Sequence, residues 1–404
     1  MSYIGMIVDT PYPNDIRVRK EAESLVESGK KVVVISPRKK KDLKSEVING
    51  VDVFRIGNNY TNTKKGLLDV FESIFNINFL FFFGIKKALK QFDIQFLHVH
   101  DLPLAGTGYF FKPKMKRIIL DLHENYPEAL KTWFAWKKNP IIKLKNMIFM
   151  NPTLWSKKEE KYCEKYDLVV CVVEEMKQKL ISNFKIEPQK LVVVSNYEKK
   201  EFAQNFLSSE RQSIITNKNF SITYVGGLGP HRGLDTVIKA MPQIVKEIPN
   251  VKLFLIGKGS KNVEDKLQEM TNELNMEEYV KFVGYRPFKE VSTIMRESNV
   301  NIIPHKSNDH TDNTIPHKLF QIMMSKSLLL VSSCKPLKRI VEKYNCGLVF
   351  KADDTNDFAS KIIMIYANEE EFLFKKENAF DAVMNKGENW EEESKKLLSL
   401  YTVL

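Results

Sequence analysis

Ser221-Ile222-Thr223-Tyr224-Val225, running into Gly226-Gly227-Leu228-Gly229-Pro230-His231-Arg232-Gly233, is the stretch that decides the fold. The first five residues, rich in β-branched and aromatic side chains, read as a strand. Four glycines in the next eight residues make a turn whose main chain can approach a ligand closely. Beyond it, Leu234, Val237, Ile238, Met241, Ile244, Val245 and Ile248 recur with helical spacing, so a helix with one apolar face follows. Strand, glycine turn and helix in succession are the building unit of a parallel sheet. The turn is neither a Walker A loop nor a Gly-x-Gly-x-x-Gly fingerprint, which removes support for nucleotide hydrolysis and for dinucleotide binding.

The same scheme extends in both directions. Strands are expected at Lys252–Ile256, Val280–Val283, Asn301–Pro304, Leu328–Val331 and Gly347–Phe350. Upstream they are expected at Tyr3–Val8, Lys31–Ile35, Val51–Ile56, Ile94–His98, Arg117–Leu122, Leu168–Val172 and Leu191–Ser195, with a helix over Ile16–Ser28 closed by Gly29. With 404 residues, the chain is too long for one ordinary core. The reading is two doubly wound α/β domains of Rossmann-like type: residues 1–200, a polar linker over 201–219, residues 220–377, and a C-terminal helix over 378–404.

Composition narrows the setting. Hydrophobic residues make up 43% and charged residues 28%, as in a globular chain. No run reaches the ~18 apolar residues of a membrane span; Ile74–Ile85 is short, carries Asn76 and Asn78, and reads as a buried or interfacial helix. The strand at Tyr3 predicts no signal peptide, and four scattered cysteines predict no disulfide scaffold, so the expected compartment is a reducing cytoplasm. Residues 1–198 hold 33 Lys and Arg against 23 Asp and Glu, while the rest hold 29 against 27. Two explanations stand for this excess: a first half that faces something anionic, or lysine-rich solubility.

A second motif is Asp312-Asn313-Thr314-Ile315-Pro316-His317-Lys318-Leu319-Phe320-Gln321. Pro316 fits a first helical turn, and Asn313 or Thr314 can cap it. Lys318 in that turn opposes the helix dipole, which points to an anionic partner; a capped surface helix with a stray lysine is the alternative. Arg232 places a permanent cation at the other helix start.

Taken in order, Gly226-Gly227-Leu228…Arg232-Gly233, Leu255-Ile-Gly-Lys-Gly259, Phe282-Val-Gly-Tyr285 and Pro316-His-Lys-Leu-Phe320 resemble the donor half of family-4 retaining glycosyltransferases of GT-B fold. Tyr12-Pro-Asn-Asp-Ile-Arg-Val-Arg-Lys-Glu21, His98-Val-His-Asp101, Asp121-Leu-His-Glu-Asn125 and Val194-Ser-Asn196 resemble its acceptor half, and Trp390-Glu-Glu-Glu-Ser394 its final helix returning to the first domain. The resemblance implies two domains facing each other across a cleft. It implies that Gly226 and Gly227 lie against the donor phosphates, with Arg232 and Lys318 neutralising them. Gly257 and the chain around Tyr285 would border the nucleobase. Asn313, Thr314 and Ile315 would meet the donor, and Gln321 its ribose. The family's two glutamates fall on Asn313 and Gln321, which are uncharged. His123 would touch the sugar, with Glu124 beside it. Asp15, Arg17, Arg19 and Asp101 would hold the acceptor, although Arg19 also reads as a surface charge and Asp101 as a helix cap.

Lys131 to Phe149 interleaves five lysines with two tryptophans and aliphatic residues and no acid, a pattern suited to an anionic membrane surface. Stacking on single-stranded nucleic acid is the weaker reading, since no nucleic-acid fold accompanies the segment, and packing inside the first domain is the other alternative. There is no Asp-x-Asp and no His/Cys cluster at ligand spacing, so no metal or resident cofactor is expected; the co-substrate would be a UDP- or GDP-sugar. The expected function is transfer of a hexosyl unit to a glycan or lipid-linked hydroxyl, with retention, in bacterial polysaccharide or glycoconjugate synthesis at the membrane. Two rivals remain: a sugar-nucleotide epimerase, and a non-catalytic partner subunit of the same fold.

Overall fold

The computed structural model describes residues 2–133, 146–204, 215 and 219–401. The chain divides into two compact units. One comprises residues 1–131, 139–195 and 394–404; the other comprises 132–138 and 196–393.

The first unit holds β1 (Tyr3–Ile7), β2 (Lys31–Pro37), β3 (Ser45–Ile48), β4 (Val51–Ile56), β5 (Ile94–His100), β6 (Arg117–Leu122), β7 (Leu168–Cys171) and β8 (Leu191–Val193). They form one sheet in the order β3-β4-β2-β1-β5-β6-β7-β8, parallel except for the β3–β4 pair. Buried Val, Ile and Leu fill the central strands on both faces, as a sheet covered by helices on both sides requires. β3 was not foreseen: its four residues alternate between exposed and half-buried, too weak a pattern to register beside the buried strands.

Its helices include α1 (Ile16–Glu27), α2 (Asn62–Phe75), α3 (Phe79–Ala88) and α4 (Ala105–Phe110). Asp15 caps α1, its carboxylate accepting from Val18 N at 3.1 Å. The apolar run Ile74–Ile85, expected as one helix, is instead broken. Asn76 ends α2 in the left-handed conformation, and the Asn78 carboxamide caps α3. No single described helix is long and apolar enough to cross a membrane.

The second unit holds β9 (Phe220–Val225), β10 (Val251–Ile256), β11 (Val280–Gly284), β12 (Val300–Ile303), β13 (Leu328–Ser332) and β14 (Leu348–Phe350). They form an all-parallel sheet ordered β11-β10-β9-β12-β13-β14. The helix Leu234–Glu247 buries Leu234, Val237, Ile238, Met241 and Ile244 against it, the face that its spacing specified.

Of the segment Lys131–Phe149, residues 134–145 lie outside the described residues, as do residues 205–214 and 216–218 of the expected linker. The four cysteines are buried thiols.

Candidate functional site

In the second unit, three strand ends meet on main chain. Gly226 N donates to Ile256 O (2.8 Å), Gly257 N to Gly284 O (2.9 Å) and Leu228 N to Lys258 O (3.1 Å). Gly257 holds φ +141°, and a Cβ there would stand 1.9 Å from Gly226 O, so only glycine keeps the loops after β9 and β10 this close. Gly233 (φ +68°) does the same against Pro304 O, which seats the start of the helix Leu234–Glu247 on the end of β12. Between β9 and β12 the order of connection reverses across the sheet. Such a switch point is where open α/β sheets hold ligands.

Lys318 and Arg232 point into this place. Lys318 opens the helix Lys318–Met324 and is 8% exposed. Its Nζ lies 3.9 Å from the centre of the Tyr224 ring and has no hydrogen-bond partner. An added Cβ on Gly226 would stand 3.3 Å from that Nζ. Arg232 Nη1 donates to His305 Nε2 at 2.8 Å, so that imidazole nitrogen must be unprotonated. Burial and the neighbouring cations hold His305 well below its usual range and push His231 down to about 2. Burial, and then Arg232, pulls the Lys318 ammonium well below the ordinary lysine value. No carboxylate among the described residues pairs with Arg232 or Lys318. A guanidinium, a buried amine and two neutral imidazoles therefore gather at one place. A hollow of about 350 Å³ lies beside them, walled by residues that include Gly227, Arg232, Lys258 and Gly259.

Other expected donor residues fall differently. Asn313 caps no helix: it closes a separate turn over Thr311–Asn313, and its Nδ2 donates to Asp309 O at 2.7 Å. The helix starts two residues after Pro316, with His317 rather than Asn313 or Thr314 at its cap position. The Ile315 side chain is buried and its carbonyl accepts from Asn196 Nδ2 (3.1 Å), leaving only main chain for a donor. Tyr285, after β11, is 70% exposed. Gln321 Nε2 donates to Glu198 Oε2 at 2.7 Å, in a buried pair. Glu198, Tyr224 and His305 escaped the sequence reading, because nothing in local spacing marks a partner 123 positions away.

In the first unit, a second cluster sits at the ends of β5 and β6. Arg17 holds Asp121 with two bonds of 3.0 Å, from Nε to Oδ2 and from Nη2 to Oδ1, and donates from Nη1 to Val194 O at 2.9 Å. Expected as an acceptor ligand, Arg17 is instead 3% exposed, because the buried Asp121 carboxylate needs a bidentate counter-charge. Asp121 is held well below the usual carboxylate range against its own burial, chiefly by Arg17. His123 approaches His100 (Nε2 to Nδ1, 3.0 Å), Asp121 (3.6 Å) and Asp101 (Nδ1 to Oδ2, 3.5 Å). Burial opposes its charge, yet Asp101 and then Asp121 outweigh burial and raise His123 to about 10. Burial pushes His100 down to about 3 and Glu21 up to about 8. Asp101 makes no capping bond; it holds φ +68°, a strained conformation that aims its carboxylate at His123. Glu124 and Arg19 are half-buried.

Glu21, His98, His100 and Asp121 bring ligand-type atoms within 4.8 Å of one another, a grouping invisible in the sequence because it draws on three elements. The Arg17 guanidinium already occupies both carboxylates, at 3.0 Å from each, so the set does not fit a metal cation. His98 is engaged through Nδ1 by the Tyr401 hydroxyl (2.5 Å), which pins the C-terminal residues to β5.

Residues 205–382 match the sequence profile of Glycosyl transferases group 1, and residues 16–197 match that of Glycosyltransferase Family 4. An uncharacterised glycosyltransferase of Methanocaldococcus jannaschii is 29% identical over 161 residues, 38% of this chain and 38% of the relative. The chain spans between 34% and 51% of the length of other curated relatives it matches. Among solved structures, sucrose-phosphate synthase from Thermosynechococcus elongatus superposes with a TM-score of 0.79 at 16% identity, covering 99% of this chain and 98% of that one. Anabaena HepE in complex with UDP and glucose superposes with a TM-score of 0.74 at 12% identity, over 100% of both chains. At such identities these are likenesses of fold.

Proposed function

Because the chain belongs to the family-4 glycosyltransferases of GT-B fold, we propose that it moves a hexosyl unit from a nucleoside diphosphate sugar to a hydroxyl acceptor, with retention at the anomeric carbon. The observation that carries this reading is the buried, unpartnered Lys318 Nζ beside Arg232 at the β9–β12 switch point. A buried amine without an anion is costly, and a diphosphate supplies the missing partner.

In this reading the bond from the anomeric carbon to the diphosphate oxygen breaks while a bond to the acceptor oxygen forms. The acceptor proton passes to a phosphate oxygen. Arg232, Lys318 and the main chain at Gly226–Gly227 stabilise the charge that develops on the departing diphosphate, an electrostatic role that serves the transition state more than the ground state. Gln321 accepts a hydrogen bond from a ribose hydroxyl through its amide oxygen. The neighbour that carries UDP and glucose supports a uridine diphosphate hexose among the candidate donors. The acceptor is proposed to be a glycan or lipid-linked hydroxyl in bacterial polysaccharide or glycoconjugate synthesis.

Asn313 and Gln321, where the family has glutamates, favour a second reading as a non-catalytic partner subunit. A thermal-shift screen with UDP- and GDP-sugars, followed by transfer assays, separates the two. A ligand that binds only the native state raises its stability by about 2.7 kcal/mol at a hundredfold excess over Kd. The proposal requires a nucleotide sugar that raises Tm and is consumed in the presence of acceptor. Stabilisation without turnover on a broad panel supports the partner subunit, consumption without acceptor supports an epimerase, and no stabilisation by any nucleotide sugar contradicts all three.

A further inference from the structure

One surface of the first unit shares no residue with either cluster. Asn76 (φ +57°) and Asn78 turn the chain so that α3 leaves α2 at 89°. Leu67, Phe71, Ile74 and Phe75 of α2, Phe79 and Phe83 of α3, and Phe110 of α4 are each 42–60% exposed. The rings pack in two groups. Phe71 to Phe75 is 6.4 Å between centroids, Phe75 to Phe79 is 6.2 Å, and Phe83 and Phe110 both flank Phe82, at 5.3 and 4.9 Å. Phe79 and Phe83 are one helical turn apart, which joins the two groups into a single band.

The fold does not need these rings outside. α3 is anchored by its opposite face, where Phe81, Gly84, Ile85 and Ala88 are buried, and a Cβ on Gly84 would stand 2.5 Å from Ile56. Isolated exposed apolar residues are ordinary, but a continuous aromatic band marks an interaction surface. Its border is basic. Lys86, Lys87, Lys90 and Lys114 are exposed and join no ion pair among the described residues. From Asn76 to Phe92 the sequence holds three cations and no acid, and from Leu102 to Leu120 four cations and no acid.

We propose that the α2–α3 face docks this chain on an anionic phospholipid bilayer. The phenylalanines enter the boundary between headgroups and acyl chains, and the lysines lie over the anionic headgroups. A second copy of the chain is the poorer occupant, since a two-fold interface through this face would set lysine against lysine. The proposal is independent of the donor reading, and it places the membrane contact elsewhere than the segment Lys131–Phe149.

Flotation of the full chain with vesicles of phosphatidylcholine alone, or of phosphatidylcholine with phosphatidylglycerol, tests it. The wild type is expected to float with the phosphatidylglycerol vesicles, less so at high salt. Phe75→Ser/Phe79→Ser/Phe83→Ser and, separately, Lys86→Glu/Lys87→Glu should each lower the bound fraction about tenfold while keeping the wild-type circular dichroism spectrum. The lysine pair is fully on the surface, so that variant keeps the test open if the triple variant does not fold. A wild type left at the bottom with anionic vesicles overturns the proposal. So does flotation unchanged by either variant, or a dimer in sedimentation that the phenylalanine variant dissociates without any vesicle binding.

Discussion

Gln321 Nε2 donates to Glu198 Oε2 across 2.7 Å, inside the second unit, so the Gln321 amide is bound to a carboxylate from another element. The pair turns the Gln321 amide oxygen away from Glu198, and that oxygen is the group proposed to meet the ribose. A glutamate at position 321 should therefore harm the protein. Gln321→Glu sets two carboxylates against each other and removes a charge-assisted bond worth about 1.5–3 kcal/mol. Denaturant unfolding should show a loss of that order, and the donor KM should rise. Adding Glu198→Gln to the same chain should recover most of both, and a single variant with wild-type stability would contradict the pairing.

Lys318 offers a test through protons. Its ammonium is disfavoured by burial and by Arg232, and a diphosphate would favour it again. Binding of a nucleoside diphosphate should then take up a proton, and affinity should fall as pH rises from the depressed free-state pKa towards the bound-state value. Calorimetry in buffers of differing ionisation enthalpy measures the uptake. Zero uptake together with pH-independent affinity would contradict this role.

His123 should stay cationic through neutral pH. Its folded pKa of about 10 lies above the ordinary 6.5, so the stability it contributes is fully present below about 6.5 and is lost as pH rises through about 10. Imidazole resonances followed by NMR should show no titration of His123 between pH 6 and 8. In Asp101→Asn, which removes the first of its two carboxylate partners, the titration should move down towards that window.

Gly257→Ala tests the glycine lacing. The new Cβ would stand 1.9 Å from Gly226 O at a φ of +141°, so the loop must move. Strain of about 1–3 kcal/mol is expected in denaturant unfolding, together with loss of nucleotide binding. Unchanged binding would show that the three-loop geometry is not required.

Much of this was legible in the chain itself. The turn Gly226–Gly233 and the periodic Leu234–Ile248 fixed the character of the second sheet, because covered parallel strands leave near-continuous apolar runs. Lys318 stood out because a cation at a helix start opposes the dipole. What local pattern could not reveal was pairing at long range. Arg17 looked like a surface ligand beside Asp15, yet Asp121, 104 positions away, draws it under the sheet end. Glu198 carried no signal, and Asn76 and Asn78 looked like blemishes in an apolar run although they end one helix and begin the next.

A crystal structure of the chain with a bound nucleoside diphosphate tests the phosphate site at Lys318. Diphosphate oxygens are expected within hydrogen-bond distance of Lys318 Nζ and the Arg232 guanidinium, against the main chain at Gly226 and Gly227. A diphosphate bound elsewhere, with Lys318 Nζ still lacking a partner, would contradict it.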